Sequence, residues 1–460
     1  MAIENRFLLA LAATRKWQLL NADPLVSQKM LLLRLVKRSA QTAFGKAYDF
    51  TSIRTSQDFL ERVPPKSYND FRTSIDAIIA GEQDVLFPGK PECFGMTSGT
   101  DGMPKLIPLN RALLRSTRSA ALDAALLGGL LHGSLSWQHG KTLYIGPRKG
   151  RSLGKWTVYA EGTAFAYLQP FSSRFVPAYE DLPEREDNLN FALFADLTRR
   201  HWITVITGNP IEIVAFVLAT GIVLPDVQIV FNCGYWAIDH AHIYESAFPN
   251  ATVVDVYSSN EGTYGLPQSA GVFLLNYRRV FFTFLPLDRE DQIAELESVT
   301  LNQKYRLCVT TPGGLWNYRT GDVVSFISLR PPVIRFHGRN CRSLKLEDDW
   351  LTEDEVVAAV RKSRIRSLKY FLTSENPSER NRRGYILYIE SERADAEAVD
   401  RHLCELNSIY ARLRASAHLE PLTLYQTSIA TPIHTKPARI KKGVHKLMLG
   451  TCDPFPEGDK

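Results

Sequence analysis

The chain has few cysteines: six in 460 residues, at Cys93, Cys233, Cys308, Cys341, Cys404 and Cys452. None forms C-x-x-C, which excludes the usual zinc and thioredoxin-type motifs. Such sparse thiols fit a reducing, cytoplasmic setting rather than a disulfide-held scaffold. Long hydrophobic runs are missing too. No stretch reaches the ~18 apolar residues that a membrane-spanning helix needs. The short apolar run from Phe7 to Ala13 follows Glu4 as well as Arg6, and its pattern continues through Trp17, Leu19 and Leu20 to Leu31–Leu35. It reads as amphipathic helix rather than as the core of a secretory signal. An excess of one charge is also lacking, because 55 Lys+Arg stand against 49 Asp+Glu, a formal net charge of +6. A nucleic-acid partner requires a locally dense basic stripe, not a small global surplus. Residues 434–446 are the densest basic stretch. Composition leaves them open as a solvated surface segment or a phosphate-facing one. Internal repeats and low-complexity segments are absent, which excludes solenoids and disordered arrays.

What is present is a globular composition, with 45% apolar residues over a length that suits two or three domains. Apolar spacing predicts helices over residues 1–45, another around Phe59 ended by Pro64 and Pro65, and a long one over 109–131. Strand-like pieces follow at Thr142–Ile145, Ile203–Ile206, Val227–Phe231 and Thr252–Val256. They alternate with helical stretches at Ile211–Ala219 and Ala237–Ser246. This alternation predicts an α/β fold with layered helices. Val280–Leu285 and Leu307–Thr311 also read as strands. A break falls near residues 338–347. Beyond it a helix starts at Thr352 with a capping pattern, a strand runs over Tyr385–Ile389, and a helix follows at about 393–411. The expected organisation is a large α/β domain over 1–340 and a small α+β domain over 341–460.

Residues 97–108 read Thr-Ser-Gly-Thr-Asp-Gly-Met-Pro-Lys-Leu-Ile-Pro. Gly99 and Gly102 tolerate positive φ and close approach, so the backbone N–H groups can curl around an anion. Thr97, Ser98 and Thr100 add hydroxyl donors, and Lys105 adds a mobile positive charge. The spacing is not that of a Walker A loop, since Met103-Pro104-Lys105 follows the second glycine. A phosphate cradle and an ordinary polar turn both fit this composition. The loop is expected to feed directly into the helix after Leu109, an order that suits anion binding at a helix N-terminus.

Three further segments carry candidate chemistry. Tyr257-Ser-Ser-Asn-Glu-Gly262 follows the strand 252–256, where α/β enzymes bind ligands. Tyr318-Arg-Thr-Gly-Asp322 reads as a compact turn with one cation and one anion. Gly338-Arg339-Asn340 lies at the expected domain break. Taken in this order, the four segments resemble the adenylate-forming enzymes. Among those they are most similar to the auxin-responsive acyl acid amido synthetases, the plant enzymes that conjugate hormones to amino acids, and their bacterial relatives. The family's S-S-G-T-S-G-G-x-x-K-x-I-P is similar to Thr97–Pro108, its Y-A-S-S-E-G to Tyr257–Gly262, and its Y-R-x-G-D-V-V to Tyr318–Val324. Arg62-Val63-Pro64, Phe282–Pro286 and Gly338-Arg339 extend the resemblance over nearly the whole chain. Asp101 departs from it by adding negative charge inside the phosphate loop, and Asn260 replaces a serine.

The resemblance implies a large N-terminal domain binding ATP and an acid, and a small mobile C-terminal domain that swings about 338–347. It implies that Thr97, Ser98, Gly99 and Thr100 hold phosphates. Tyr257 would lie against adenine, with Ser259 or Asn260 nearby. Glu261 would coordinate Mg²⁺, a hard cation suited to carboxylate oxygens. Asp322 would accept from the ribose hydroxyls, and Arg339 would reach the ribose. Lys436, in Lys436-Pro-Ala-Arg439, would stabilise charge on the α-phosphate. The implied activity is ATP-dependent adenylation of a small carboxylic acid, then acyl transfer to an amino acid or other amine. Two alternatives remain: coenzyme A or a carrier-protein thiol as acceptor, and a nucleotide-binding protein without catalysis. No nucleic-acid or membrane partner is implied. By analogy of position, the helical stretch after Leu109 and Thr207–Ile213 are candidate linings for the acid, with Tyr235 and Trp236 as candidate aromatic walls, although buried aromatics equally serve as plain core. Arg148 and Lys149 read as surface charge or as partners of a carboxylate.

Overall fold

The computed structural model describes residues 2–97, 105–146, 148–160, 162–168, 172–182, 190–233, 241–287, 289, 292–339, 343–346, 349–365, 370–373, 384–390, 394–417, 419–427 and 446–449. The expected site residues Ser98, Gly99, Thr100 and Lys436 lie outside them, as do Asp101, Tyr235, Trp236 and residues 434–445. The backbones of Thr97 and Arg339 are described, their side chains not. The chain divides into two compact units, Met1–Phe336 and His337–Lys460.

The first unit begins with helices α1 (Ala2–Asn21), α2 (Pro24–Ser39), α3 (Ala43–Ala47), α4 (Ser56–Arg62) and α5 (Tyr68–Ala80). Their starts are written locally: Asp23 accepts from the N–H groups of Leu25 and Val26, and capping boxes pair Thr55 with Asp58 and Ser67 with Asp70. Strands β1 (Cys93–Thr97) and β2 (Lys105–Leu109) form an antiparallel hairpin, with Thr97 opposite Lys105. Then come α6 (Arg111–His132), β3 (Lys141–Ile145), β4 (Arg151–Leu153), β5 (Trp156–Ala160), α7 (Thr163–Tyr167), β6 (Phe175–Val176) and α8 (Phe191–Arg200). After these lie β7 (Ile203–Gly208), α9 (Pro210–Thr220), β8 (Ile229–Cys233), α10 (Ala241–Ala247) and β9 (Thr252–Ser259). The remaining strands are β10 (Gly262–Ser269), β11 (Val272–Leu275), β12 (Phe281–Pro286), β13 (Lys304–Thr310), β14 (Tyr318–Leu329) and β15 (Pro332–Arg339).

β2-β1-β5-β4 make a small sheet, and the large sheet runs β12-β13-β14-β15-β11-β10-β9-β8-β7-β3-β6. From β6 to β9 the neighbours are parallel. From β9 onward β10 and β11 are antiparallel to their neighbours. β9 is therefore the switch strand. Side-chain alternation buries both faces of the parallel part. Val230 packs in a cluster with Phe194, Phe216 and Tyr244 from α8, α9 and α10. Its neighbour Phe231 meets α6 on the other face, where a Cβ on Gly128 would approach it at 3.1 Å. Glycine there lets α6 lie close on the sheet.

The second unit holds β16 (Ser343–Leu346), β17 (Asp349–Thr352), α11 (Glu353–Lys362), β18 (Tyr370–Thr373), β19 (Ile386–Glu390), α12 (Ala396–Leu406), α13 (Ser408–Ala415), β20 (Thr423–Thr427) and β21 (Lys446–Leu449). β20-β19-β18-β21 form its sheet, with Val356, Val360, Val399 and Leu403 in the core against it.

The mixed α/β architecture matches the sequence expectation. Four local expectations need correction. The 97–108 segment does not feed directly into a helix, because Lys105–Leu109 is strand β2 and α6 starts after Asn110, whose side chain accepts from Leu113 N–H. Tyr257–Gly262 does not follow a strand but closes one, since β9 continues to Ser259 and turns at Asn260-Glu261 into β10. Tyr318–Asp322 is not a turn but the start of β14. The helix expected over 393–411 is broken at Asn407, whose side chain accepts from Tyr410 N–H and caps α13.

Candidate active site

Glu261 sits in the two-residue turn between the last parallel strand and its antiparallel neighbour. This is the carboxyl end of β9, where the sheet passes from parallel to antiparallel pairing; α/β sheets bind ligands outside the carboxyl ends of their strands. Ser259 stitches the turn: its Oγ accepts from Glu261 N–H at 3.2 Å and donates to the Tyr264 hydroxyl at 3.0 Å. Burial, and after it the Glu261 charge, raises the Tyr264 phenol well above its ordinary value, so it stays protonated. Asn260 points its amide at β1 and donates to the Met96 carbonyl at 2.9 Å.

Asp322 arrives from the far side of the sheet through a bulge. β13 takes two steps from Cys308 to Arg306 while β14 takes four from Arg319 to Val323. Gly321 supplies the required left-handed backbone, with φ +84°. Thr320 secures the bulge by donating to the Leu307 carbonyl at 3.0 Å and accepting from Asp322 N–H at 3.1 Å. The surplus residues re-aim Asp322 so that its Oδ2 accepts from the Tyr257 hydroxyl at 2.6 Å. Both side chains are buried, Tyr257 at 9% and Asp322 at 2% exposure. The Tyr257 ring packs on Tyr264, Phe273 and Phe336. The structure thus brings together Tyr257, Ser259, Asn260, Glu261 and Asp322.

Sequence reasoning missed several neighbours. The Tyr68 hydroxyl bonds both the N–H and the carbonyl of Leu106, and the Lys105 ammonium lies 5.7 Å over the Tyr68 ring. Tyr68 stands alone in an ordinary helix, so no spacing signal marks it. Arg148, left open between surface charge and a carboxylate partner, pairs with Glu212 of α9 at 3.4 Å with both side chains largely buried. Among the described residues no group of three or more His, Cys, Asp and Glu could hold a metal ion. Glu261 can offer one carboxylate, which is how Mg²⁺ is commonly held alongside phosphate oxygens and water. Burial pushes the Cys93 and Cys308 thiols up to about 12, so neither is a thiolate at neutral pH. No helix among the described residues is long and apolar enough to cross a membrane.

Two family models match the chain. The GH3 family N-terminal domain matches residues 14–203, and the GH3 family central domain matches 273–339. Indole-3-acetic acid-amido synthetase GH3.17 of Arabidopsis thaliana is 22% identical over 452 residues, spanning 75% of this chain and 73% of its own. Indole-3-acetic acid-amido synthetase GH3.15 of the same plant is 23% identical over 439 residues, spanning 74% and 72%. Among solved structures, the AtGH3.15 acyl acid amido synthetase in complex with 2,4-DB superposes with a TM-score of 0.76 at 18% identity, covering 92% of this chain and 89% of that one. A 2-hydroxyisobutyryl-CoA ligase in the postadenylation state reaches 0.56 at 15% identity, over 87% and 85%. These structural likenesses show a shared fold.

Proposed function

The chain belongs to the GH3 family, and from that premise we propose that it is an AMP-forming ligase that joins a small carboxylic acid to an amino acid or another amine. A carboxylate acylates poorly because its leaving group would be oxide. In the first step a carboxylate oxygen attacks the α-phosphorus of ATP, the α–β phosphoanhydride bond breaks, and pyrophosphate leaves. In the second the amine nitrogen attacks the acyl carbon, the bond to the phosphate oxygen breaks, AMP leaves, and the amine loses a proton.

The observation that carries this reading is the Tyr257–Asp322 hydrogen bond. It joins two motifs far apart in sequence, beside Glu261 and at the carboxyl end of the switch strand. In this reading Asp322 accepts from the ribose, and Tyr257, with Ser259 and Asn260 beside it, borders the adenine. Thr97, Ser98, Gly99, Thr100 and Lys105 face the phosphates, Arg339 reaches the ribose, and Lys436 meets charge developing on the α-phosphate. Glu261 would hold Mg²⁺, which when bound neutralises phosphate charge. Thr97 and Lys105, the two shoulders of the phosphate segment, are register partners, which supports reading both as parts of one site. The unpaired described cysteines Cys93, Cys233, Cys308 and Cys404 support a cytoplasmic setting.

The test is pyrophosphate release across a panel of aromatic, indolic, benzoic and fatty acids, crossed with amino acids, simple amines and coenzyme A, with products read by mass spectrometry. An amide is the expected product. A thioester in place of an amide would overturn the acceptor. ATP binding without pyrophosphate release from any acid would overturn the reaction.

A further inference from the structure

Met96 and Leu106 face each other in the β1–β2 hairpin, one step below the pair Thr97 and Lys105. Each is gripped by a side chain from elsewhere. The Asn260 amide donates to the Met96 carbonyl at 2.9 Å. The Tyr68 hydroxyl donates to the Leu106 carbonyl at 3.1 Å and accepts from the Leu106 N–H at 2.9 Å. β2 is the outermost strand of its sheet, so one hydroxyl does at this edge what a neighbouring strand would do for both backbone groups. Asn260 is buried against the bare face of Gly95. It is 6% exposed, and its Cγ lies 2.7 Å from where a Cβ on Gly95 would stand.

We propose that Asn260 and Tyr68 are positioning residues that clamp the register pair Met96 and Leu106, and so hold the two shoulders of the phosphate segment in place against the Glu261 turn. The inference rests on the reading of residues 97–105 as that segment. Asn260 and Glu261 are consecutive in one turn, so the bond to Met96 ties the carboxylate directly to the hairpin. Tyr68 holds the opposite strand and sets its ring beneath the Lys105 ammonium. Burial raises the Tyr68 phenol above its ordinary value, which keeps the proton it donates. Neither side chain has to touch nucleotide for this role. It matters because a misplacement of about 1 Å at a reacting centre can cost about 100-fold in rate.

Tyr68→Phe keeps the ring and removes the hydroxyl, and Asn260→Ser replaces the amide by a shorter hydroxyl. Amide hydrogen exchange of the free protein is the first readout. Exchange within 95–97 and 105–107 should rise about tenfold in each variant, the size of one ordinary hydrogen bond, with the rest of the sheet unchanged. Acid-dependent pyrophosphate exchange is the second. kcat should fall about tenfold while KM for the acid stays constant. The double variant should lose little more than either single, because both grips serve one register pair. Unchanged exchange in the two strands overturns the clamp, as does a simple multiplication of losses with a drifting acid KM. The first readout needs no turnover. A wild-type protein inert toward every acid would therefore refute the proposed reaction, while the clamp would still be judged by exchange.

Discussion

Replacing Tyr257 with Phe removes one oxygen. The ring keeps its neighbours Tyr264, Phe273 and Phe336, at centroid distances of 5.3, 5.4 and 5.0 Å. What disappears is the 2.6 Å hydrogen bond to Asp322. A neutral hydrogen bond contributes about 0.5–1.5 kcal/mol and one to a charged group about 1.5–3. The acceptor here is a buried carboxylate and the bond is short, so ~2 kcal/mol is the expected loss. Unfolding entropy near ~2.1 cal/mol/K per residue gives ~0.7 kcal/mol/K for the unit Met1–Phe336. The melting midpoint of that unit should therefore drop by about 3 °C in calorimetry without nucleotide. A double-mutant cycle with Asp322→Asn isolates the pair, and a coupling of about 1–2 kcal/mol is expected. If Tyr257→Phe melts within about 0.5 °C of the wild type, or the cycle is additive, the bond does not hold the two motifs together and the reasoning fails.

Lys436→Ala should reduce acid-dependent pyrophosphate exchange by about 100-fold or more while ATP affinity by calorimetry stays within a factor of about three; wild-type exchange would remove Lys436 from the mechanism. Gly321→Ala should cost ~1 kcal/mol or more, because alanine resists φ +84°, and should weaken ATP binding by displacing Asp322; an unchanged affinity would argue against the bulge as its support. Gly95→Ala should be destabilised by about 1–3 kcal/mol through its collision with Asn260. Adding Asn260→Ser should restore part of that loss, and failure to do so in chemical denaturation would contradict the contact. In the second unit, burial alone would raise the Asp400 carboxyl, but hydrogen bonds from Arg414, Tyr410 and Leu422 N–H outweigh it and lower the group below 3.8. Its stabilising contribution is thus present above the unfolded value and lost as pH falls through the folded one. Asp400→Asn should flatten the acid limb of that unit's unfolding curve below about pH 4; an unchanged limb would refute the link.

Much of the fold was legible locally. Helix starts such as Asp23-Pro24 and Thr55-x-x-Asp58 carry their own caps, and the apolar runs at Ile203–Ile206 and Thr252–Val256 mark strands of the parallel part of the sheet. The errors came where distant pairing decides the conformation. Lys105–Leu109 reads as loop because its strand character depends on β1 alongside and on Tyr68 at its edge. Tyr318–Asp322 has turn-forming residues, yet pairing with β13 keeps it extended and leaves only a bulge at Gly321.

The candidate site divides in the same way. Residue order and type determined which groups are available: the glycine-rich segment 97–108, the carboxylates Glu261 and Asp322, and the motif order that identifies the family. Only the tertiary structure decided which of them meet. Tyr257 and Asp322 touch because a bulge with two surplus residues redirects one strand of a mixed sheet. Asn260 reaches the Met96 carbonyl because Gly95 leaves a space of that size. Side-chain chemistry is written residue by residue, whereas a hydrogen bond between residues far apart in the chain exists only once the sheet has set its register.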